Sequence, residues 1–456
     1  MRVNAYLVCF CLILPAAAPL ASCKKFIEVA SPINQLNANN VFTDDKTATA
    51  AVIGIYSDME FSAPISTYLT LLQGLSADEL TSASSDKEYL DFATNTYLPN
   101  NRYIAATWAI YSFVFEANSC IQGIQNSTGL SPGTKNQLLG EAHFSRAFCY
   151  FYLVNLFGDV PLAISTDYRI NDSLHRTAPP LVYQQIITDL LMAQSLLSTG
   201  YPTVQRVRPN RWTATSLLSR AYLYINKWAD AELQASSIIS SGLYTLSGVD
   251  SVFLNTSNET IWQLMPVSPI YNTQEAAFFV PGSTTEIPTY PLTSDLVNAF
   301  EPGDNRTLAW TGSSVIGGQV FYYPAKYKIV GNSPLNEYHI VFRLAEQYLI
   351  RAEARMQQGN TTGAIEDLNL IRSRAHLAPL SDTLSRDLVA VAIQQERRIE
   401  LFAEFGHRWL DLKRTKTIDP VIGALKPASW KSTDALWPVP QDQRSADPFL
   451  TQNAGY

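Results

Sequence analysis

The chain has 456 residues, with 40 acidic against 33 basic side chains, a net charge of −7 and 11% aromatic content. The acidic balance argues against a nucleic acid as partner, and the length is great for one hydrophobic core. Five cysteines without the Cys/His spacing of a zinc site leave no structural metal module to build on.

The N-terminus reads MRVNAYLVCFCLILPAAAPLASC: one basic residue, Arg2, an apolar run from Tyr6 to Leu14, then small residues and two prolines. That is the layout of a signal peptide over 1–22. The run is too short to span a bilayer, which takes about 20 residues, and Pro15 and Pro19 would break a longer helix. A buried N-terminal helix of a cytosolic protein is the alternative. Leu20-Ala21-Ser22-Cys23 resembles the bacterial lipobox, which makes Cys23 the expected lipid anchor. Each buried acyl methylene contributes about 0.8 kcal/mol, so several chains on one residue hold a domain at a membrane. Cys9 and Cys11 leave with the leader, and Cys120 and Cys149 remain inside apolar helical patterns. Buried free thiols are the default there; a disulfide between neighbouring helices is the alternative.

Helical periodicity predicts helices over 46–58, 101–125, 136–156, 181–198, 213–225, 229–240, 343–357, 362–375 and 385–414. Thr43-Asp44 supplies cap side chains for the first. In the second, Ile104, Trp108, Tyr111 and Phe115 form a core stripe. Two stretches resemble each other: Arg220-Ala221 and Arg351-Ala352 each sit on one helix, and after a polar turn Ala231 and Ala364 enter the next. A third Arg-Ala stands at Arg146-Ala147. Small residues at helix crossings are the logic of tetratricopeptide-like helix–turn–helix repeats. The fold class is therefore mostly α, with repeats over about 41–241 and 342–416 packed against a loop-rich insert with short strands over about 242–341. A tail follows over 417–456, and residues 23–456 read as a single domain. The stretch 61–100 is a second segment expected to be irregular, and such long segments are usually functional.

Catalytic signatures are missing: there is no GxSxG, HExxH, P-loop or GxGxxG, and His143, His175, His339, His376 and His407 show no ligand spacing. Asp78-Glu79 is the most noticeable carboxylate pair, but adjacent side chains diverge and cannot flank one bond. A helix end or a loop hydrogen bond suits Asp78 better than chemistry. No cofactor, metal or catalytic residue is therefore assigned. Binding is better supplied, because sugar rings stack on aromatic faces while carboxylates and amides take the hydroxyls. The insert offers Trp262, expected in the core, and Trp310, expected to be exposed in NRTLAWTGSSVIGG. Tyr271 and Tyr290 stand in loop contexts. Trp310, Tyr271, Tyr290 and Asp78 are the candidate ligand-binding residues.

Several motifs together resemble the SusD/RagB family, nearly end to end. They are SCKKFIEVASP, VFTDDKTATAAVIGIYSDM, GEAHFSRAFCYFYLVNLFGDVPL and RWTATSLLSRAYLYINKWADA, then PLTSDLVNAFEPGDNR with Asp304 and Arg306. FRLAEQYLIRAEARMQQGNTTGAIEDLNLIRSRAHL, ERRIELFAEFGHRWLDLKR and the ending LWPVPQDQRSADPFLTQNAGY complete the set. The ending departs from the family in one place, with Ala454 where proline often stands. In ERRIELFAEFGHRWLDLKR, Glu396, Arg397, Arg398, Glu400 and Arg408 are expected as fork-type ion pairs pinning the helix. The resemblance implies a non-catalytic outer-membrane lipoprotein facing the cell exterior. It would bind an oligomeric nutrient, most often a glycan, and deliver it to a SusC-like TonB-dependent transporter as a lid over the barrel. In the family the binding face is built from the early loop and the insert. A secreted glycoside hydrolase on a helical scaffold, or a repeat scaffold that only assembles proteins, are the competing readings.

Overall fold

The structure, a computed structural model, describes residues 41–268 and 270–456. The leader and Cys23 lie outside the described residues. Chain order begins with α1 (Asp45–Phe61), whose N-cap Asp44 accepts hydrogen bonds from the Lys46 and Thr47 amides at 2.9 and 3.0 Å. A π-helical turn, Pro64–Tyr68, runs into α2 (Leu69–Ser76), and α3 (Lys87–Thr94) follows. The 61–100 stretch is thus largely helical, against expectation. Every residue of α2 is buried, so it shows no amphipathic alternation for periodicity to find.

The expected helix over 101–125 is broken into α4 (Arg102–Trp108) and α5 (Ile110–Asn126). At the junction the Ala109 amide bonds back to Ala106, three residues away, which tightens the turn. After the break Phe113, Val114, Ala117 and Ile121 face the core. Phe115, expected in the core stripe, is 54% exposed.

The long α6 (Pro132–Phe157) ends in the small hairpin of β1 (Val160–Pro161) and β2 (Arg176–Thr177), and α7 (Pro179–Leu196), α8 (Arg211–Tyr224) and α9 (Trp228–Ser240) complete the first repeat block. In the insert come β3 (Thr260–Leu264), α10 (Gln274–Phe279), α11 (Asn305–Trp310), β4 (Thr311–Ile316), β5 (Gln319–Pro324) and β6 (His339–Arg343). The strands β3 and β6 pair antiparallel with every residue buried, and Trp262 packs edge-on against Phe144 and Phe148 of α6. Strands β4 and β5 form a hairpin whose turn residues Gly317 and Gly318 both have positive φ, the requirement of a type I′ turn.

The second repeat block holds α12 (Leu344–Gln357), α13 (Thr361–Arg374), α14 (Arg386–Glu400) and α15 (His407–Arg414). The predicted helix over 385–414 is cut at 401–406, where Ala403, Phe405 and Gly406 take positive φ. Only glycine suits the last of these. A Cβ on Gly406 would lie 2.2 Å from the Gln73 side chain of α2. Within the second repeat Ala352 and Ala364 share one buried cluster, as the Arg-Ala spacing suggested, and between the blocks Ala231 and Ala235 of α9 cluster with Ile350 and Ala354 of α12. Each Arg-Ala arginine also forks onto a neighbouring helix or its partner block, Arg146 to Asp189, Arg220 to Glu346 and Arg351 to Asp367, all at 2.6 Å. The tail contributes α16 (Ile418–Leu425) and α17 (Gln441–Ala446) and returns to the core. Trp437, fully buried, packs on Phe92 and Phe157. Cys120 and Cys149 are buried free thiols, their pKa values pushed up by burial. Among the described residues no helix is long and apolar enough to cross a membrane.

Candidate functional site

Two of the four candidate residues belong to the framework. Asp78 is 2% exposed and accepts a bidentate pair from Arg408 at 2.7 and 2.8 Å and a third contact from Arg398 at 2.8 Å. Burial pushes its carboxyl up, but Arg408 and then Arg398 overcome this and hold it below the usual carboxylate range. Trp310, expected at the surface, is 1% exposed. Its indole donates to the Val249 carbonyl at 2.8 Å, and Lys326, Arg374 and Arg343 stand over its ring at 4.7, 5.5 and 5.8 Å. The turn residues that suggested exposure belong to the β4–β5 hairpin, whereas Trp310 closes α11, capped by Asp304.

That ring abuts a charged seam. Arg306 binds Asp304, Glu396 and Glu400, while Arg343 binds Glu259, Glu400 and Glu404, with Arg374 joining Glu259 and Glu400. The ion pairs expected of Glu396, Arg397, Arg398, Glu400 and Arg408 are thus formed, and they stitch α14 and α15 to each other, to the insert and, through Asp78, to the end of α2.

Tyr290 has a different setting. The chain after α2 runs extended against the insert: Leu80 bridges Leu292, the Thr81 amide donates to the Pro291 carbonyl at 2.8 Å, and that of Ala83 to Thr289 at 2.9 Å. This pairing carries Asp86 and α3 to the insert's edge. There Tyr89 stacks on Tyr103 with centroids 4.1 Å apart, Tyr290 meets Tyr89 edge-on at 5.4 Å, and Tyr68 meets Tyr103 edge-on at 5.3 Å. Phe278 of α10 extends the chain of rings beyond Tyr290. Asp86 caps α3 through the Glu88 amide, accepts the Tyr103 hydroxyl at 2.7 Å and pairs with Arg102. Arg102 lies 4.7 Å over the Tyr103 ring, with 63% of its side chain exposed.

This row of rings forms a shelf where the early loop meets the insert. Its inner members, Tyr89, Tyr103 and Tyr290, are buried at the back; Tyr68 and Phe278 are half-buried at the front. Burial raises the pKa of all four phenols, so each stays neutral and can donate or accept a hydrogen bond. The π-helical turn presents Tyr68, and Thr67 beside it binds Gln274 of α10 at 3.0 Å. Gln274 in turn donates to the Glu60 and Phe61 carbonyls, which fixes the shelf's front edge. Such π turns are frequent at functional sites. Tyr271 is half-buried and, among the described residues, shares none of these ring contacts. Its neighbour Asn272 ties that segment to the Gly331 and Pro334 carbonyls. Sequence reasoning missed Tyr68, Asp86, Tyr89, Arg102 and Tyr103, because long-range pairing assembles them. The only local signal was the Asp86 cap ahead of Lys87-Glu88. Among the described residues no group of three or more His, Cys, Asp or Glu is placed to hold a metal ion.

The chain is similar to proteins already described. A model of the SusD family matches residues 302–456, and one described as starch-binding, associating with the outer membrane, matches residues 25–223. SusD-like protein P25 of Formosa agariphila is 23% identical over 521 residues, covering 95% of this chain and 97% of that protein. The starch-binding protein SusD of Bacteroides thetaiotaomicron is 24% identical over 430 residues, covering 73% of this chain and 75% of that one. A SusD superfamily crystal structure from Bacteroides vulgatus superposes with a TM-score of 0.82 at 20% identity, over 91% of this chain and all of that one.

Proposed function

The chain belongs to the SusD/RagB family, and on that premise we propose that it is a cell-surface lipoprotein that captures an oligomeric glycan without cleaving it and delivers it to a SusC-like TonB-dependent transporter. The observation that carries this reading is the tyrosine shelf. A row of rings with neutral hydroxyls, flanked by an exposed guanidinium and carboxylates, matches a sugar's alternating apolar C–H faces and hydroxyl edges. The shelf stands where the early loop meets the insert, and Tyr290, one of the sequence candidates, is part of it. The description of the family model that matches residues 25–223 favours starch-like or related neutral glycans.

Titrating maltoheptaose and a panel of neutral plant oligosaccharides by calorimetry tests the shelf. Tyr68→Ala should weaken the best ligand about tenfold, or roughly 1.4 kcal/mol. Equal affinity for the variant and the parent would remove the shelf from the site. Product release on long incubation with those glycans would overturn capture without cleavage. Attachment is tested separately: Cys23→Ala should free the chain from the membrane fraction, and retention after a high-salt wash would sink the anchor. Delivery predicts that the transporter copurifies from gently solubilised outer membranes.

A further inference from the structure

The short helix α4 gives Tyr103 to the shelf and Trp108 to a cavity of about 610 Å³, which opens between α4–α5, the loop joining β1 to β2, and α17 with the residues after it, and which no shelf ring lines. Its volume lies within the class of small-molecule sites. Trp108 and Tyr111 line it as a tilted ring pair 5.1 Å apart, and both are fixed: Trp108 packs edge-on against Phe157 at 4.8 Å, and the Tyr111 hydroxyl donates to the Pro161 carbonyl at 2.7 Å. Phe115 adds a third ring, 54% exposed. This is the ring that the break at Ala109 turned out of the core. Next in sequence to the lining residues Leu174 and Pro448, His175 of the loop meets Phe449 of the tail with ring centroids 4.9 Å apart.

The polar lining is one-sided. Asp172, Asp447, Asn171 and Gln443 contribute acceptors, Asp447 having one oxygen taken by the Phe449 amide, and among the described residues no Lys, Arg or His lines the cavity. Asn118 is consumed, donating to the Ala163 carbonyl and accepting from Arg146. Asn171 is not: its amide nitrogen donates to the Ser165 carbonyl at 2.9 Å, while its buried Oδ1 has no partner among the described residues. A buried acceptor left unmade is costly. The complementary occupant carries hydroxyl donors and an apolar ring face, and brings no negative charge.

We propose that this cavity is a second, separate site for a neutral saccharide of one or two rings, stacked on Phe115 and the Trp108–Tyr111 pair and hydrogen-bonded to Asn171. It goes beyond the shelf and does not depend on it.

Maltose, cellobiose and xylobiose are titrated into the mature protein, following tryptophan fluorescence and ligand-observed NMR. Phe115→Ala removes an exposed ring, and Ala446→Trp fills the cavity from an exposed position on α17; unchanged melting curves establish that both fold. At least one disaccharide should bind the parent, bind Phe115→Ala about tenfold more weakly, and not bind Ala446→Trp. Tyr68→Ala should leave that binding untouched. No binding by the parent at millimolar disaccharide overturns the proposal, as does binding that responds to Tyr68→Ala and ignores the cavity variants. Binding of a cationic peptide at Phe115 in place of every sugar also overturns it. An intact shelf with an empty cavity would sink this inference alone; the reverse would sink the shelf.

Discussion

The charged seam and the tyrosine shelf use similar residue types to opposite ends. In the seam, Arg306, Arg343 and Glu400 are at most 2% exposed, and their partners are nearly as buried. Each carboxylate has an arginine and each guanidinium several oxygens, so the charges taken out of water are repaid by geometry. On the shelf, Arg102 keeps 63% of its side chain in solvent, and its pairing with Asp86 and Glu88 contributes little to stability. The difference teaches that conspicuous charge in this chain marks scaffold. Rings gathered from separate loops mark the proposed binding surface.

The largest effect should come from breaking the seam at one partner. Arg343→Met leaves Glu404, Glu400 and Glu259 short of a cation and should cost about 3–5 kcal/mol, read from urea unfolding. A loss below 1 kcal/mol would mean that the seam is no more than a surface network. Trp310→Ala should rank close behind, at about 3 kcal/mol, because it empties a ring-sized space among three cations. A destabilised Trp310→Ala with unchanged glycan affinity would sharpen the contrast; a stable variant with lost affinity would invert it. Smaller again is Tyr68→Ala, whose effect should fall on glycan affinity, about tenfold, with little change in melting temperature.

Much of the framework was legible because it is local. Arg146-Ala147, Arg220-Ala221 and Arg351-Ala352 announced the repeats, since an arginine beside a small residue at a helix crossing reads the same in each copy. The cluster from Glu396 to Arg408 was legible as ion pairs, since helical spacing puts those side chains toward neighbours. What misled was composition taken as exposure: Gly317 and Gly318 serve a hairpin beyond Trp310 and say nothing of the indole. What stayed hidden was the shelf. Leu80 finds Leu292 only in the folded chain, and no spacing within either segment reports that meeting. The broken helices were half visible. Both were predicted whole: Gly406 held a signal that helical periodicity overrode, while Ala109 carries no side-chain signal.

Glu79 lies between the two regions and sharpens the comparison most finely. Its backbone carbonyl accepts from the Thr293 amide at the start of the pairing that builds the shelf, and its carboxyl faces the Ala403 amide at the break between α14 and α15. Burial first, and then the Asp78 charge, push that carboxyl up to about 8, with Arg408 and Lys326 pulling the other way. In the unfolded chain the group titrates near 4.5. The folded protein therefore holds the proton more tightly, and its contribution to stability is complete below about 4.5 and is lost as pH rises through about 8. Glu79→Gln imitates the protonated form at every pH. It should match the parent near pH 5 and exceed it near pH 9 by about 1 kcal/mol, less than the full shift implies because water and the nearby cations relax around the charge. Melting curves from pH 5 to 9 measure this. Parallel profiles for the two proteins would show that Glu79 shares the seam's compensation; a widening gap places it outside, as an uncompensated acid at the root of the shelf.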